Sequence, residues 1–216
     1  MKPQNVIRIV AILGSAILAA SRTEADGQGV LFSQPFDETG NFTSSTPYAV
    51  YDDFTLPSGG KINQVNWSGL DEGGLKGFTV SIWSDKGGLP GTLLASDNIT
   101  GLAGEKASGN VYLDSPGSPI YNYSATLGSP FSAAPETEYF LSIVGTGDNG
   151  CWCWETSAVG NTGILQYQDV LGYNPIQKDA GMAFTLETVP EPSTIALGLF
   201  GALAFLFRRV SSASPA

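Results

Sequence analysis

The stretch Gly77-Phe78-Thr79-Val80-Ser81-Ile82-Trp83-Ser84 decides how the chain is read. Its apolar residues recur at every second position, so that Phe78, Val80 and Ile82 share one face while Thr79, Ser81 and Trp83 share the other. A period of two belongs to an extended strand, and one dry face beside one wetter face belongs to an antiparallel sheet. Met182, Phe184 and Leu186 alternate with Ala183, Thr185 and Glu187 in the same way. Working outward, strands are expected at Tyr48 to Leu56, Ile62 to Ser68, Thr92 to Ser96, Val111 to Leu113, Ile120 to Leu127, Tyr139 to Val144, Cys151 to Glu155 and Ile164 to Gln168. Turn chemistry separates them at Pro57 to Gly60, Lys86 to Gly91, Ser115 to Pro119 and Asp148 to Gly150. No stretch of this middle region keeps a 3.6-residue pattern over three turns. Nine to eleven short strands at this spacing predict an all-β fold, an antiparallel β-sandwich of jelly-roll-like kind.

Composition agrees and narrows the chemistry. The 216 residues include 27 Gly and 13 Pro, only 14% are charged, and there is no His. The last fact removes His-based nucleophile triads, His general bases and His-ligated metals. Net charge is −10, and the basic residues Lys2, Arg8, Arg22, Arg208 and Arg209 sit at the two ends. Between Asp26 and Val189, five lysines face eighteen carboxylates. Such a body has no electrostatic footprint for nucleic acid or anionic lipid.

Both ends read as addresses. Lys2 and Arg8 precede an apolar run of twelve, Ile9 to Ala20, followed by small residues that suit cleavage after Ser21 or Ala25. A run of twelve is short for a bilayer core of about 30 Å and fits the hydrophobic region of a secretory signal, with a short membrane anchor as the alternative. At the other end come Val189-Pro190-Glu191-Pro192-Ser193, an apolar run from Ile195 to Phe207, and Arg208-Arg209. That run would be a short hydrophobic helix, able to associate with a membrane but too short to span it comfortably. The two arginines would hold its far end on the cytoplasmic side. Two prolines in three residues forbid helix through the motif and keep it extended, as a protease site requires. Three parts follow: a signal peptide over 1–25, a sandwich over 26–188 and a sorting or anchor segment over 189–216.

The C-terminal pattern of Val189-Pro190-Glu191-Pro192-Ser193, short apolar stretch and Arg208-Arg209 resembles the PEP-CTERM sorting signal of exported bacterial proteins. The resemblance implies exosortase as partner. This transpeptidase-like membrane enzyme would cleave near Pro190 to Pro192 and leave the body tethered or released at the cell surface, in bacteria that make exopolysaccharide and biofilm. The body has its own resemblance. Val50 to Leu56, Phe78 to Asp85, Gly88 to Leu94, Glu138 to Ile143 and Trp152 to Ser157 look like the β-sandwich module that often precedes such tails, a module without an agreed activity.

Candidate sites in the body are few. In Cys151-Trp152-Cys153-Trp154 an extended backbone puts both sulfurs on one face and both indoles on the other. The cysteines could form a strained bridge, stay as buried thiols, or link to another chain or a metal, although two thiolates without His are a poor zinc set. Trp152 and Trp154, with Trp83, could form an aromatic platform for exopolysaccharide, or the first two could simply face the core. Asp52-Asp53, Asp71-Glu72, Asp85 and Asp148 could bind calcium, but no calcium-loop spacing supports this, and a solvated acidic loop is the simpler reading. No nucleophile elbow or nucleotide-binding glycine loop is present, and no pair among the carboxylates stands out for glycosidase chemistry. A non-enzymatic body is therefore expected, with a carbohydrate-binding module and then a glycan hydrolase as alternatives.

Overall fold

The computed structural model describes residues 29–37, 40–112, 117–147, 151–160, 164–168, 172–177 and 181–189. The body, Gly29–Thr188, forms one compact unit. The signal peptide and all of the sorting signal except Val189 lie outside the described residues.

Fourteen strands are found among the described residues. They are β1 (Gly29–Gln34), β2 (Asn41–Thr43), β3 (Tyr48–Thr55), β4 (Gly60–Asp71), β5 (Leu75–Asp85), β6 (Pro90–Thr100), β7 (Lys106–Val111), β8 (Pro119–Ala133), β9 (Glu138–Gly147), β10 (Trp152–Ser157), β11 (Ile164–Gln168), β12 (Gly172–Gln177), β13 (Gly181–Met182) and β14 (Phe184–Thr188). They form two sheets. The six-stranded sheet runs β12-β11-β3-β9-β5-β6. In the eight-stranded sheet β4 is the hub, with β8 then β7 on one side and β14 and β10 on the other, β1 beyond β14, and β2 and β13 on β10. Every pairing between named strands is antiparallel. The chain changes sheet at most of its connections, for example from β3 to β4 and from β4 to β5. That alternation stacks the two apolar faces on each other and makes the expected antiparallel sandwich.

The two diagnostic alternations land as their periodicity demands. Phe78, Val80 and Ile82 are 2% exposed or less, and Met182, Phe184 and Leu186 equally so, all in one core with Val65, Trp67, Tyr123 and Leu141. Trp83 points the other way. It lies half-buried on the outer face of the six-stranded sheet, against Tyr51, Phe140 and Tyr167. Along β4 the period breaks once: Ile62 and Val65 both face the core because the register to β8 shifts between Ile62 and Gln64. A bulge supplies the extra residue. The β3 to β4 turn needs its glycine. Gly59 sits at φ +67°, and a Cβ there would lie 2.7 Å from the carbonyl oxygen of Ala133.

The differences from expectation lie at the margins. β1, β2 and β12 carry no clear alternation in sequence, and β12 contains Pro175. The strand expected at Val111 to Leu113 instead ends at Val111 and begins at Lys106, in a Lys-Ala-Ser-Gly-Asn run with almost no strand propensity. Pairing to β8 imposes it. Among the described residues no helix is long and apolar enough to cross a membrane.

Candidate functional site

The Cys-Trp-Cys-Trp segment is placed by β10, which pairs with β4 through Trp152, Cys153 and Trp154. Alternation separates indoles from sulfurs as expected, but it is the indoles that face the sandwich interior. Trp152 is 1% exposed and Trp154 fully buried, so the core-facing alternative holds and Trp83, Trp152 and Trp154 form no shared exposed platform. The cause is packing. Trp152 sets its ring edge-on to Phe78 at 5.1 Å and to Tyr123 at 6.2 Å, in space left open by two glycines. A Cβ on Gly69 or on Gly145 would come within 2.6 Å of Trp152 atoms. The Trp154 indole N–H donates to the Ala183 carbonyl at 2.9 Å, which removes the polar reason to surface. Because Trp67 is also 2% exposed, iodide should quench the emission of Trp83 and leave the other three indoles bright. Quenching shared by two or more indoles would contradict this burial.

The sulfurs take the outer face. Cys153 is buried with Leu70 and Ile120 under Phe36 and Tyr112, and its sulfur lies 3.7 Å from the Thr43 hydroxyl. Burial pushes its thiol up to about 11. Cys151 is half-buried and lines a cavity of about 570 Å³ with Pro47, Tyr48 and Glu72. The two thiols are unbridged. An aromatic disulfide reagent should therefore titrate Cys151 quickly and Cys153 only on unfolding; two thiols of equal rate, or none in the native protein, would contradict the arrangement.

The acidic pairs do not gather. Asp52 and Asp53 both lie in β3, at 0% and 2% exposure, on opposite faces of the strand. Asp52 Oδ2 accepts from the Met182 N–H at 2.7 Å and Oδ1 from the Asp53 N–H at 3.1 Å. The Gln34 amide group, oriented to satisfy its neighbours, donates to Asp52 Oδ2 and to the Met182 carbonyl, each at 2.8 Å. Burial holds the Asp52 carboxyl well above the usual carboxylate range, the nearby Asp53 charge adds to this, and the two backbone donors oppose it. Asp71 receives the Gly73 N–H at 2.7 Å, and Asp85 receives those of Gly87 and Gly88 at 3.1 and 2.7 Å. These two acids fasten turns. Asp148 lies outside the described residues, and among the described residues no three acid or thiol side chains converge on a cation position.

A different surface, which sequence reading missed, carries a polar groove. Cross-strand register stacks polar residues in rows on the outer face of the eight-stranded sheet. Ser33, Thr185, Asn66 and Ser124 line up across β1, β14, β4 and β8, and Ser68, Asn122 and Lys106 across β4, β8 and β7. Within them Ser68 Oγ donates to Asn122 Oδ1 at 2.9 Å, and Gln64 Nε2 donates to Asn66 Oδ1 and to Ser124 Oγ at 3.1 Å each. The rows floor a groove of about 460 Å³ whose wall includes Phe36. Amides and hydroxyls at every second position of β4 and β8 were the available signal, but they become a site only once β14 and β1 extend the rows.

Only Val189 of the expected sorting residues is described; Pro190, Glu191, Pro192, Ser193, Arg208 and Arg209 are not. No curated protein matches the chain. Residues 188–210 match the family model described as the PEP-CTERM protein-sorting motif, and the chain is therefore an exported protein bearing that motif, with exosortase as its processing partner at the cell envelope.

Proposed function

We propose that the chain is a non-catalytic cell-surface or extracellular-matrix protein, delivered as a complete sandwich and freed of its tail by exosortase. The observation that carries this reading is the junction itself. β14, the last of the described strands, ends at Thr188, and the sorting motif begins at residue 188, so a cut near Pro190 to Pro192 leaves all of the described strands and the core they form on the body side. The tail would hold the protein at the membrane only until that cut. Two features support a body without catalysis: the chain lacks His, and the fully buried carboxyl of Asp52 is engaged by Met182, Asp53 and Gln34 within the fold. A life at the surface or in a biofilm matrix places the body beside exopolysaccharide, but its buried tryptophans do not serve as the contact.

Replacing Pro190, Glu191 and Pro192 together by Ala should abolish tail removal. In the native host the variant is expected to accumulate in the membrane fraction at a mass that retains Ile195 to Ala216, while the parent is trimmed. Equal mature masses for parent and variant would refute the sorting role of this motif.

A further inference from the structure

We propose that the groove on the outer face of the eight-stranded sheet binds a hydroxyl-rich polysaccharide chain, its sugar rings laid along β4 and β8 with one apolar ring face against Phe36. Four observations converge. Beside apolar Pro35, Phe36 and Ala183, amides and hydroxyls of Asn66, Ser68, Asn122, Ser124 and Thr185 line the groove. Such groups both donate and accept, which suits a ligand whose every hydroxyl does the same. The hydrogen bonds inside the rows use the oxygens of both asparagines, and this leaves the NH₂ groups of Asn66 and Asn122 without a partner among the described residues. They are donors in waiting.

Charge is the second observation. Although the body carries eighteen carboxylates against five lysines, among the described residues no carboxylate lines the groove and one of the five lysines, Lys106, does. The adjacent Glu105 is occupied, accepting from the Tyr123 hydroxyl at 3.1 Å. A single ammonium among neutral groups is far too little for a polyphosphate, which needs many cations, but it fits a neutral glycan or one with scattered carboxylates. Shape is the third. Asn66 and Ser68 on β4, with Ser124 and Asn122 opposite them on β8, repeat along the groove floor at about 6.8 Å, a span long enough for one or two sugar rings. Last, one end of the groove is apolar: half-buried Phe36 packs on Leu70 and Ile120 and lines the groove, where its apolar surface can meet sugar C–H groups.

This site presumes the surface reading above only in that polysaccharide must be within reach; binding itself is measured apart from sorting. The test is affinity electrophoresis of the processed protein through gels containing dextran, galactomannan or alginate. Retardation is expected in at least one gel, and the double variant Asn66→Ala/Asn122→Ala should weaken it roughly tenfold or more, as loss of two hydrogen-bonding groups implies. Lys106→Glu separates the two glycan classes: it should spare retardation by dextran or galactomannan and abolish any by alginate. Near-ultraviolet circular dichroism checks that each variant keeps its packed tryptophans, and the milder Ser124→Ala provides a second groove variant. Absence of retardation in all three gels, or retardation lost with Trp83→Ala on the opposite sheet and untouched by the groove variants, would overturn the proposal. Release of reducing ends from the retarding glycan would instead contradict the non-catalytic reading and leave the groove standing.

Discussion

Trp152→Ala is expected to destabilise the sandwich by about 3–5 kcal/mol, the range for deleting a large buried aromatic side chain. The whole stability of such a domain is about 5–15 kcal/mol, so the variant should unfold at a far lower denaturant concentration or fail to accumulate. The size of the effect follows from what the ring joins. Trp152 comes from the eight-stranded sheet, touches Phe78 of the six-stranded sheet edge-on, and lies between the glycines of β4 and β9 that make room for it. Its neighbours are themselves rings: Tyr123, which stacks on Trp67 at 5.8 Å, lies 6.2 Å away and Trp154 lies 6.3 Å away. A cavity among stiff rings collapses poorly, which puts the cost at the upper end of the range. Trp83→Ala, at a half-buried position outside this core, should cost much less. Chemical denaturation of the two variants side by side checks this, and equal losses would contradict the assignment of Trp152 to the inter-sheet core.

Stability should also depend on pH through Asp52. The native carboxyl is held well above the usual range by burial, whereas the unfolded chain releases the same proton near pH 4. The native state therefore binds the extra proton, and its contribution is complete below that pH and is lost as pH rises toward and through the elevated native value. Asp52→Asn removes the titration and adds a constant offset from the altered hydrogen bonds to Asp53, Met182 and Gln34. Melting temperatures measured from about pH 4 upward should fall for the parent relative to the variant. Glu138, raised by burial and by Asp53 and Asp85, titrates in the same direction but is common to both proteins and cancels. Parallel curves would contradict a protonated, buried Asp52. The carboxyl matters for the fold because it ties β3 of one sheet to β13 of the other through the Met182 N–H, beside Gly181, where a Cβ would strike the Gln34 amide and come within 2.9 Å of Asp52 Oδ2.

The sandwich was legible because residues such as Phe78, Val80 and Ile82 obey a strict period that survives folding unchanged. Strands held by partners rather than by their own propensity, β7 and β12 above all, left no such mark. The face that alternation selects is likewise invisible in a single strand: Cys151 to Trp154 reads equally well with either face inward, and only the room provided by distant Gly69 and Gly145 settles that the indoles turn in. The polar groove is less legible still, since its rows join residues from five strands that lie up to about 150 positions apart in sequence. By contrast the sorting motif is contiguous, and its Pro-Glu-Pro core with flanking apolar and basic residues can be read directly.

The most direct test of the account is the intact mass of the wild-type protein recovered from its native host, taken separately from envelope and medium. A mass bounded near Ser21 or Ala25 at one end and near Pro192 at the other is predicted, with any added mass showing how the body is tethered. A mature protein that still carries Ile195 to Ala216 would contradict exosortase processing and leave a membrane-anchored sandwich in its place.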